Sequence, residues 1–513
     1  MEKTKKIILL FPNPIATIPG GLTYVGKRFK KNNFDVKIYI NTFRDFKTAD
    51  ELLNEIIEPF DPDIVGFSFA TYNVLEVYGL QRNCKEKGYF VIAGGNHPSI
   101  MPEECLRNGA DLVFRGESET GIDSFCDWYV FGKDMSKRSQ IPGVSYIDDS
   151  GMLVNNKKEL RIKNLDELGE IDFSSIELDK FRVSDGSVKG LNVISCGRGC
   201  PFKCSYCSHR DWYEYSKRSA DSIIDEMVKR NNLYGIKTFW LSDETFTVDR
   251  GHIYDFCKKF RQENLPFKWM VGTRANSVDE KLLLTMKESG LGQITYGIES
   301  ADPETLLKIN KGYTVEQAYE IVNLTGRLGI PMYINLMTGF PWETVVSVEN
   351  NIRFIKEVDK YVYCFQLYGA VIPYPDTPIY ENYHKEFGFT EFWLNPRYQN
   401  AGMVIYQNVP NPYKMSTYFQ RNLYDDTYVA EDYFFKFKPE YKNAVTKMGF
   451  LIGWKSIQAQ TDSLVRQYGK YLAGYFSRRL YDLDHNLEKK LVGSLIKVNK
   501  VHENRLTGKF IKK

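Results

Sequence analysis

Apolar residues in this chain follow two alternating patterns. Through residues 1–135, short unbroken apolar runs alternate with stretches in which apolar positions recur every three or four residues. The runs read as strands buried on both faces and the stretches as amphipathic helices, so this segment predicts an α/β fold, a doubly wound Rossmann-like parallel sheet. The expected strands are Ile7–Phe11, Val36–Ile40, Asp63–Phe69, Phe90–Ala93 and Leu112–Phe114, with a helix over Gly21–Asn32. Residues 136–190 are polar and carry the turn signals Pro142-Gly143, Asp148-Asp149 and Gly151. They read as a connector holding one hairpin, Val144–Ile147 with Met152–Asn155, and no chemistry. Residues 191–380 return to alternation, with strands expected at Asn192–Ser195, Thr238–Ser242, Lys268–Gly272, Gln293–Ile298, Met332–Met337 and Phe365–Val371. Six β/α units make a partial (β/α)6 TIM-like barrel. Residues 381–513 are rich in Tyr, Phe and Trp, with helical spacing over Asn443–Trp454 and Leu464–Asp484 and a basic end at Arg478, Arg479, Lys489 and Lys490. That region reads as a mainly helical cap on the barrel, with an apolar substrate pocket or a membrane-surface face as the alternative.

Composition narrows the class. A chain of 513 residues exceeds one ordinary domain. With 43% hydrophobic residues, 26% charged residues and a net charge of +3, it reads as a protein that buries real cores and has no pull toward nucleic acid. The apolar run Ile7–Phe11 behind a basic start is stopped by Pro12, too short for a signal peptide, and no 18-residue apolar run suggests a membrane span. Cys84, Cys105, Cys126, Cys196, Cys257 and Cys364 are scattered like reduced core thiols, so the expected location is cytoplasmic.

In both architectures ligands gather at the carboxyl ends of the strands. At the edge of the first sheet this places Pro12, Ser68 to Thr71, Gly94-Gly95-Asn96-His97 and Gly116-Glu117, where glycines let backbone approach a large flat ligand. Gly94-Gly95 taken alone is equally a plain strand-to-helix turn. The barrel edge places Asp243-Glu244, Thr273-Arg274, Glu299-Ser300, Gly339 to Glu343 and Pro373 to Glu381. Acidic residues there also serve as helix N-caps, and Arg274 could be an ordinary surface ion pair.

The barrel's first strand leads into Cys200-Pro-Phe-Lys-Cys204-Ser-Tyr-Cys207. Three thiolates in eight residues suit one compact site for a soft metal or an iron–sulfur cluster. A four-iron cluster held by three cysteines keeps one iron open. The spacing also admits a zinc knuckle completed by His209 or Cys196.

Arg198-Gly199-Cys200-Pro201, with Cys204, Tyr206 and Cys207, resembles the signature of radical S-adenosylmethionine (SAM) enzymes. The resemblance extends over 191–380 and implies a [4Fe–4S] cluster on Cys200, Cys204 and Cys207. It also implies a SAM site that includes Tyr206 beside adenine, Asp243 and Glu244 at the amino group, Arg274 at the carboxylate, Glu299 and Ser300 at the ribose, and Gly339 at adenine. The first segment, through Phe-Pro-Asn-Pro, Val-Gly-Phe-Ser, Ala-Gly-Gly-Asn-His-Pro and Phe-Arg-Gly-Glu, resembles the cobalamin-binding domain joined to many such enzymes. The Asp-x-His-x-x-Gly pattern that gives cobalt a histidine is absent, because Gly95 and Ile100 occupy its outer positions around His97. Cobalamin bound along Pro12, Ser68, Thr71, Gly94, Gly95, His97, Gly116 and Glu117 would therefore carry no protein histidine. The resemblance implies methylation of an unactivated carbon. The alternatives are ring closure, oxidation or rearrangement as in anaerobic porphyrin cyclases and, from another class, a corrinoid carrier or sensor with a structural metal site. The expected partners are a small-molecule, lipid or tetrapyrrole-like substrate and an electron donor such as a flavodoxin or ferredoxin.

Overall fold

In the computed structural model of the chain, residues 4–395 are described except 16–17, 43–46, 72–73, 158–160, 183–187, 189 and 209–213, together with 440–441, 444–445, 447–448 and 451. The helix expected over 464–484, the basic end and His209 lie outside the described residues; of 443–454 only five positions are described, all helical.

The first sheet has seven strands in the order β2-β1-β3-β4-β5-β6-β7. These are β1 (Lys6–Ile15), β2 (Asp35–Thr42), β3 (Ile64–Ser68), β4 (Phe90–Gly94), β5 (Leu112–Phe114), β6 (Val144–Ile147) and β7 (Leu153–Asn155). The first five run parallel, which is why their apolar runs are unbroken: helices cover both faces. The connector's hairpin adds a finding. β6 pairs antiparallel with β5, Val113 opposite Ser145 and Phe114 opposite Val144, so the sheet continues beyond residue 135 to Asn155. The hairpin covers an edge of β5 that would otherwise offer unpaired backbone groups.

The barrel is a second, all-parallel sheet in the order β15-β14-β13-β12-β11-β8. Its strands are β8 (Val193–Ser195), β11 (Thr238–Ser242), β12 (Lys268–Thr273), β13 (Leu291–Glu299), β14 (Met332–Thr338) and β15 (Cys364–Ala370). A two-residue ribbon, β9 (Gly197–Arg198) with β10 (Ser216–Lys217), follows β8 and aims Arg198 back at the first sheet.

One buried apolar cluster contains residues from a face of the first sheet, from the barrel, and Phe389, Phe392 and Trp393 beyond the last strand. Trp393 Nε1 donates to Glu104 Oε2 at 3.1 Å, and its ring meets His97 edge-on at 6.2 Å. A second tie is ionic: Arg198 pairs with Glu119 at 2.8 Å and approaches Glu117 at 3.8 Å. The two sheets are thus held with their functional edges facing each other.

Candidate active site

Cys200, Cys204 and Cys207 are half-buried on the loop after β9, whereas the other six cysteines are buried. Burial pushes the thiols of Cys84 and Cys105 up to about 12 and that of Cys257 to about 11, and raises Cys196 well above the ordinary thiol value. Such thiols are inert fillers. Cys196, 1% exposed, faces the core and leaves the three loop cysteines as the donor set. That set fits a cluster in kind: soft donors, half exposed, on one eight-residue loop. Among the described residues no three His, Cys, Asp or Glu side chains group as metal ligands.

Arg274, expected at the SAM carboxylate, sits against the cysteine loop. It is only 5% exposed, and its guanidinium lies 3.9 Å from the Phe202 ring. Nη1 donates to Cys204 Sγ at 3.1 Å and Nη2 to the Lys311 carbonyl. The fork therefore bonds the cysteine loop. Ser300, expected at the ribose, is fully buried: its hydroxyl donates to Asn351 Oδ1 at 3.3 Å and accepts from the Asp302 amide at 3.1 Å, completing a turn.

Of the other barrel residues, Tyr206 and Glu299 meet. Tyr206 donates to Glu299 Oε1 at 3.2 Å, and the buried Lys311 Nζ donates to both, at 3.0 Å to the hydroxyl and 3.2 Å to the carboxylate. Glu299 holds φ at +66°, a left-handed conformation uncommon outside glycine. Asp243 accepts from the Thr245 amide at 2.9 Å and from Tyr215 at 2.7 Å, yet burial dominates and pushes its carboxyl up to about 7. Glu244 beside it is exposed. Gly339 has φ +81°, and its amide donates to Tyr441 Oη at 2.8 Å, a partner from beyond the barrel. Tyr441 in turn donates to Glu343 Oε2 at 2.5 Å. Lys311, Tyr215 and Tyr441 were not singled out in the sequence, since a lone Lys or Tyr in a loop carries no local signal.

The edge of the first sheet separates its expected residues into two groups. Ser68, Gly94, Gly95, Gly116 and Glu117 line a cavity of about 690 Å³, and so do Arg198, Trp240, Ser242, Asp243 and Glu244 from the barrel side. A Cβ on Gly116 would meet nothing within 4 Å, so the backbone there borders open space. The cavity's glycine-rich rim and apolar floor of Leu9, Ile18, Phe29 and Ile92 fit a large flat ligand with an appended arm. Pro12, Thr71 and His97 are not on it. Pro12 is buried, its carbonyl taken by Asn41 at 2.9 Å. His97 is 0% exposed, with Nε2 at 2.9 Å from Tyr78 Oη and 3.2 Å from Glu104 Oε1, and Nδ1 at 3.1 Å from Thr71 Oγ1. The helix Asn96–Ile100 starts directly after Gly95 and turns His97 into the core.

Comparison with known proteins bears on both domains. Residues 194–355 match the Radical SAM superfamily and residues 16–125 the B12 binding domain. The chain is 31% identical over 396 residues to an uncharacterized methyltransferase of Pyrococcus horikoshii, covering 74% of this chain and 83% of that protein. It is 26% identical over 346 residues to the anaerobic magnesium-protoporphyrin IX monomethyl ester cyclase of Rubrivivax gelatinosus, covering 66% of this chain and 62% of the cyclase. The structure of TsrM from Kitasatospora setae, a radical S-adenosylmethionine methyltransferase with cobalamin and [4Fe–4S] cluster bound, aligns with a TM-score of 0.61 at 20% identity over 75% of this chain and 76% of TsrM. The cobalamin-dependent S-adenosylmethionine radical enzyme OxsB, with aqua-cobalamin bound, aligns with a TM-score of 0.63 at 15% identity over 97% of this chain and 81% of OxsB. At those identities the likeness to the two structures is one of fold.

Proposed function

This chain belongs to the radical SAM superfamily and carries a B12-binding domain, and on that premise we propose that it methylates an unactivated carbon of an organic substrate held between its two sheet edges. The observation that carries the reading is the cavity bounded by both edges, which gives a B12 group and the barrel mouth one shared space. When bound, the cluster supplies the electron that cleaves SAM, and cobalamin supplies the methyl group. Cys200, Cys204 and Cys207 hold the cluster; Tyr206, Asp243, Glu244, Glu299 and Gly339 face SAM; Ser68, Gly94, Gly95, Gly116 and Glu117 face cobalamin. Apolar side chains around the cavity exclude water, which a reactive carbon centre requires. Tyr215 orients Asp243, whose carboxyl is pushed up to about 7 by burial. A one-electron donor of flavodoxin or ferredoxin type, and a cytoplasmic setting that keeps the buried thiols reduced, complete the reading.

Likeness to the cyclase over 66% of this chain favours one other reading, ring closure or oxidation without methyl transfer. The two separate in one experiment. Anaerobically reconstituted protein is incubated with methyl-deuterated SAM, a chemical reductant and a small-molecule extract of the source cells, and the products are weighed by mass spectrometry. Label in a product other than methionine or SAM by-products supports methylation. Formation of 5′-deoxyadenosine with an unlabelled product supports the cyclase-like reading.

A further inference from the structure

The turn between helices Pro303–Lys308 and Val315–Arg327 is built against the cysteine loop. The Ile309 carbonyl accepts from the Ser205 amide at 3.1 Å, and Asn310 Nδ2 donates to the Lys203 carbonyl at 2.9 Å. The Lys311 carbonyl accepts from Arg274, whose other nitrogen bonds Cys204 Sγ. Asn310 at φ +55° and Gly312 at φ +72° give the turn a non-helical shape fixed by its own backbone. The Lys311 side chain, 3% exposed, reaches only inward. A buried ammonium is costly unless a carboxylate pairs with it and its donors are used. Here Glu299 pairs with it and Tyr206 takes a second bond. One residue thus joins the cysteine motif, the end of β13 and, through its carbonyl, the arginine that touches Cys204.

We propose that Lys311 is a positioning residue: it sets Tyr206 and Glu299 in place for the SAM nucleoside, while its turn shapes the cysteine loop through backbone contacts. The inference rests on the radical SAM reading of this site. Because the turn's backbone bonds survive a side-chain change, K311M should keep wild-type iron and sulfide. It should bind SAM about tenfold or more weakly, the size of one lost charge-assisted hydrogen bond.

The test uses anaerobically reconstituted full-length protein. Iron and sulfide are counted, SAM affinity is measured by equilibrium dialysis, and the EPR spectrum of the reduced cluster is recorded with and without SAM. K311R should recover most of the affinity, since it keeps a buried cation. If Lys311 acts through Glu299, K311M/E299Q should bind SAM no more weakly than E299Q alone. Wild-type affinity in K311M, or losses from K311M and E299Q that multiply, would overturn the inference. Should K311M fail to fold, the double variant removes the charge pair together and carries the same comparison with E299Q. Wild-type protein that takes up no cluster, or whose cluster spectrum ignores SAM, would sink the radical SAM reading itself, a separate outcome from a SAM-responsive wild type with an unaffected K311M.

Discussion

The two facing edges solve their binding problems in opposite ways. Along β3, β4 and β5 the chain offers space: Gly94, Gly95 and Gly116 present backbone, while His97, the imidazole a cobalt could take, is folded into the core with Thr71. Along the barrel edge the chain offers side chains already bonded to one another: Arg274 to Cys204, Lys311 to Glu299 and Tyr206, and Tyr215 to Asp243. A rigid macrocycle brings its own shape and needs room. A cluster and a flexible sulfonium cofactor need groups fixed beforehand, since ordering them at the moment of binding would cost affinity.

That contrast makes changes at the barrel edge chemical and changes at the first edge steric. The largest expected effect is at the loop: Cys204→Ala should leave no cluster and no SAM cleavage while cobalamin uptake persists, measured by iron and sulfide content and by cobalamin absorbance after gel filtration. Stoichiometric zinc without sulfide in the anaerobic wild type would instead point to a structural site. Next, Gly95→Val should abolish tight cobalamin binding with iron unchanged. Gly95 sits at φ +95°, and an added Cβ would stand 3.0 Å from the Phe69 carbonyl. Strain of about 1–3 kcal/mol is expected there before the clash is counted. Cobalamin retained at wild-type affinity would remove the first edge from the site.

Glu343 tests whether the barrel's outer end is a fixed scaffold. Burial pushes its carboxyl up to about 7 from 4.5. An acid raised on folding contributes stability that is complete below pH 4.5 and is lost as pH rises through about 7. Wild-type apoprotein should therefore lose on the order of 2–3 kcal/mol across that window, and Glu343→Gln should flatten the loss. Denaturant midpoints measured on both sides of the window check this; parallel curves for the two proteins would contradict it. The smallest spectroscopic effect belongs to His97. In Co(II) EPR of bound cobalamin, wild type and His97→Gln should both lack the nitrogen splitting of an axial imidazole. Splitting that vanishes in the variant would return His97 to cobalt.

The strands of the first sheet were legible in the sequence because burial on both faces writes an unbroken apolar run, those of the barrel because buried positions alternate along them, and the cysteine spacing marked the candidate site. What the sequence hid was direction and partnership. Nothing local says that the helix after Gly95 turns His97 inward, or that Ser300 spends its hydroxyl on Asn351, 51 residues away. Arg274 occupies the expected strand end, but its contact with Cys204, 70 residues earlier, carries no local signal. The hairpin at 144–155 was legible as a hairpin; that it extends the first sheet depends on a free edge at β5 that only the assembled fold reveals.

The bond from Trp393 to Glu104 spans 289 residues of chain, and it sets an order of biosynthesis. The first sheet leaves the ribosome early, but the Trp393 ring that covers His97 and the donor that satisfies Glu104 are synthesised only after the whole barrel. A nascent chain stopped before Trp393 has Tyr78 and Thr71 to hold Glu104 and His97, but the last donor to Glu104 and the ring beside His97 arrive only when residue 393 is made.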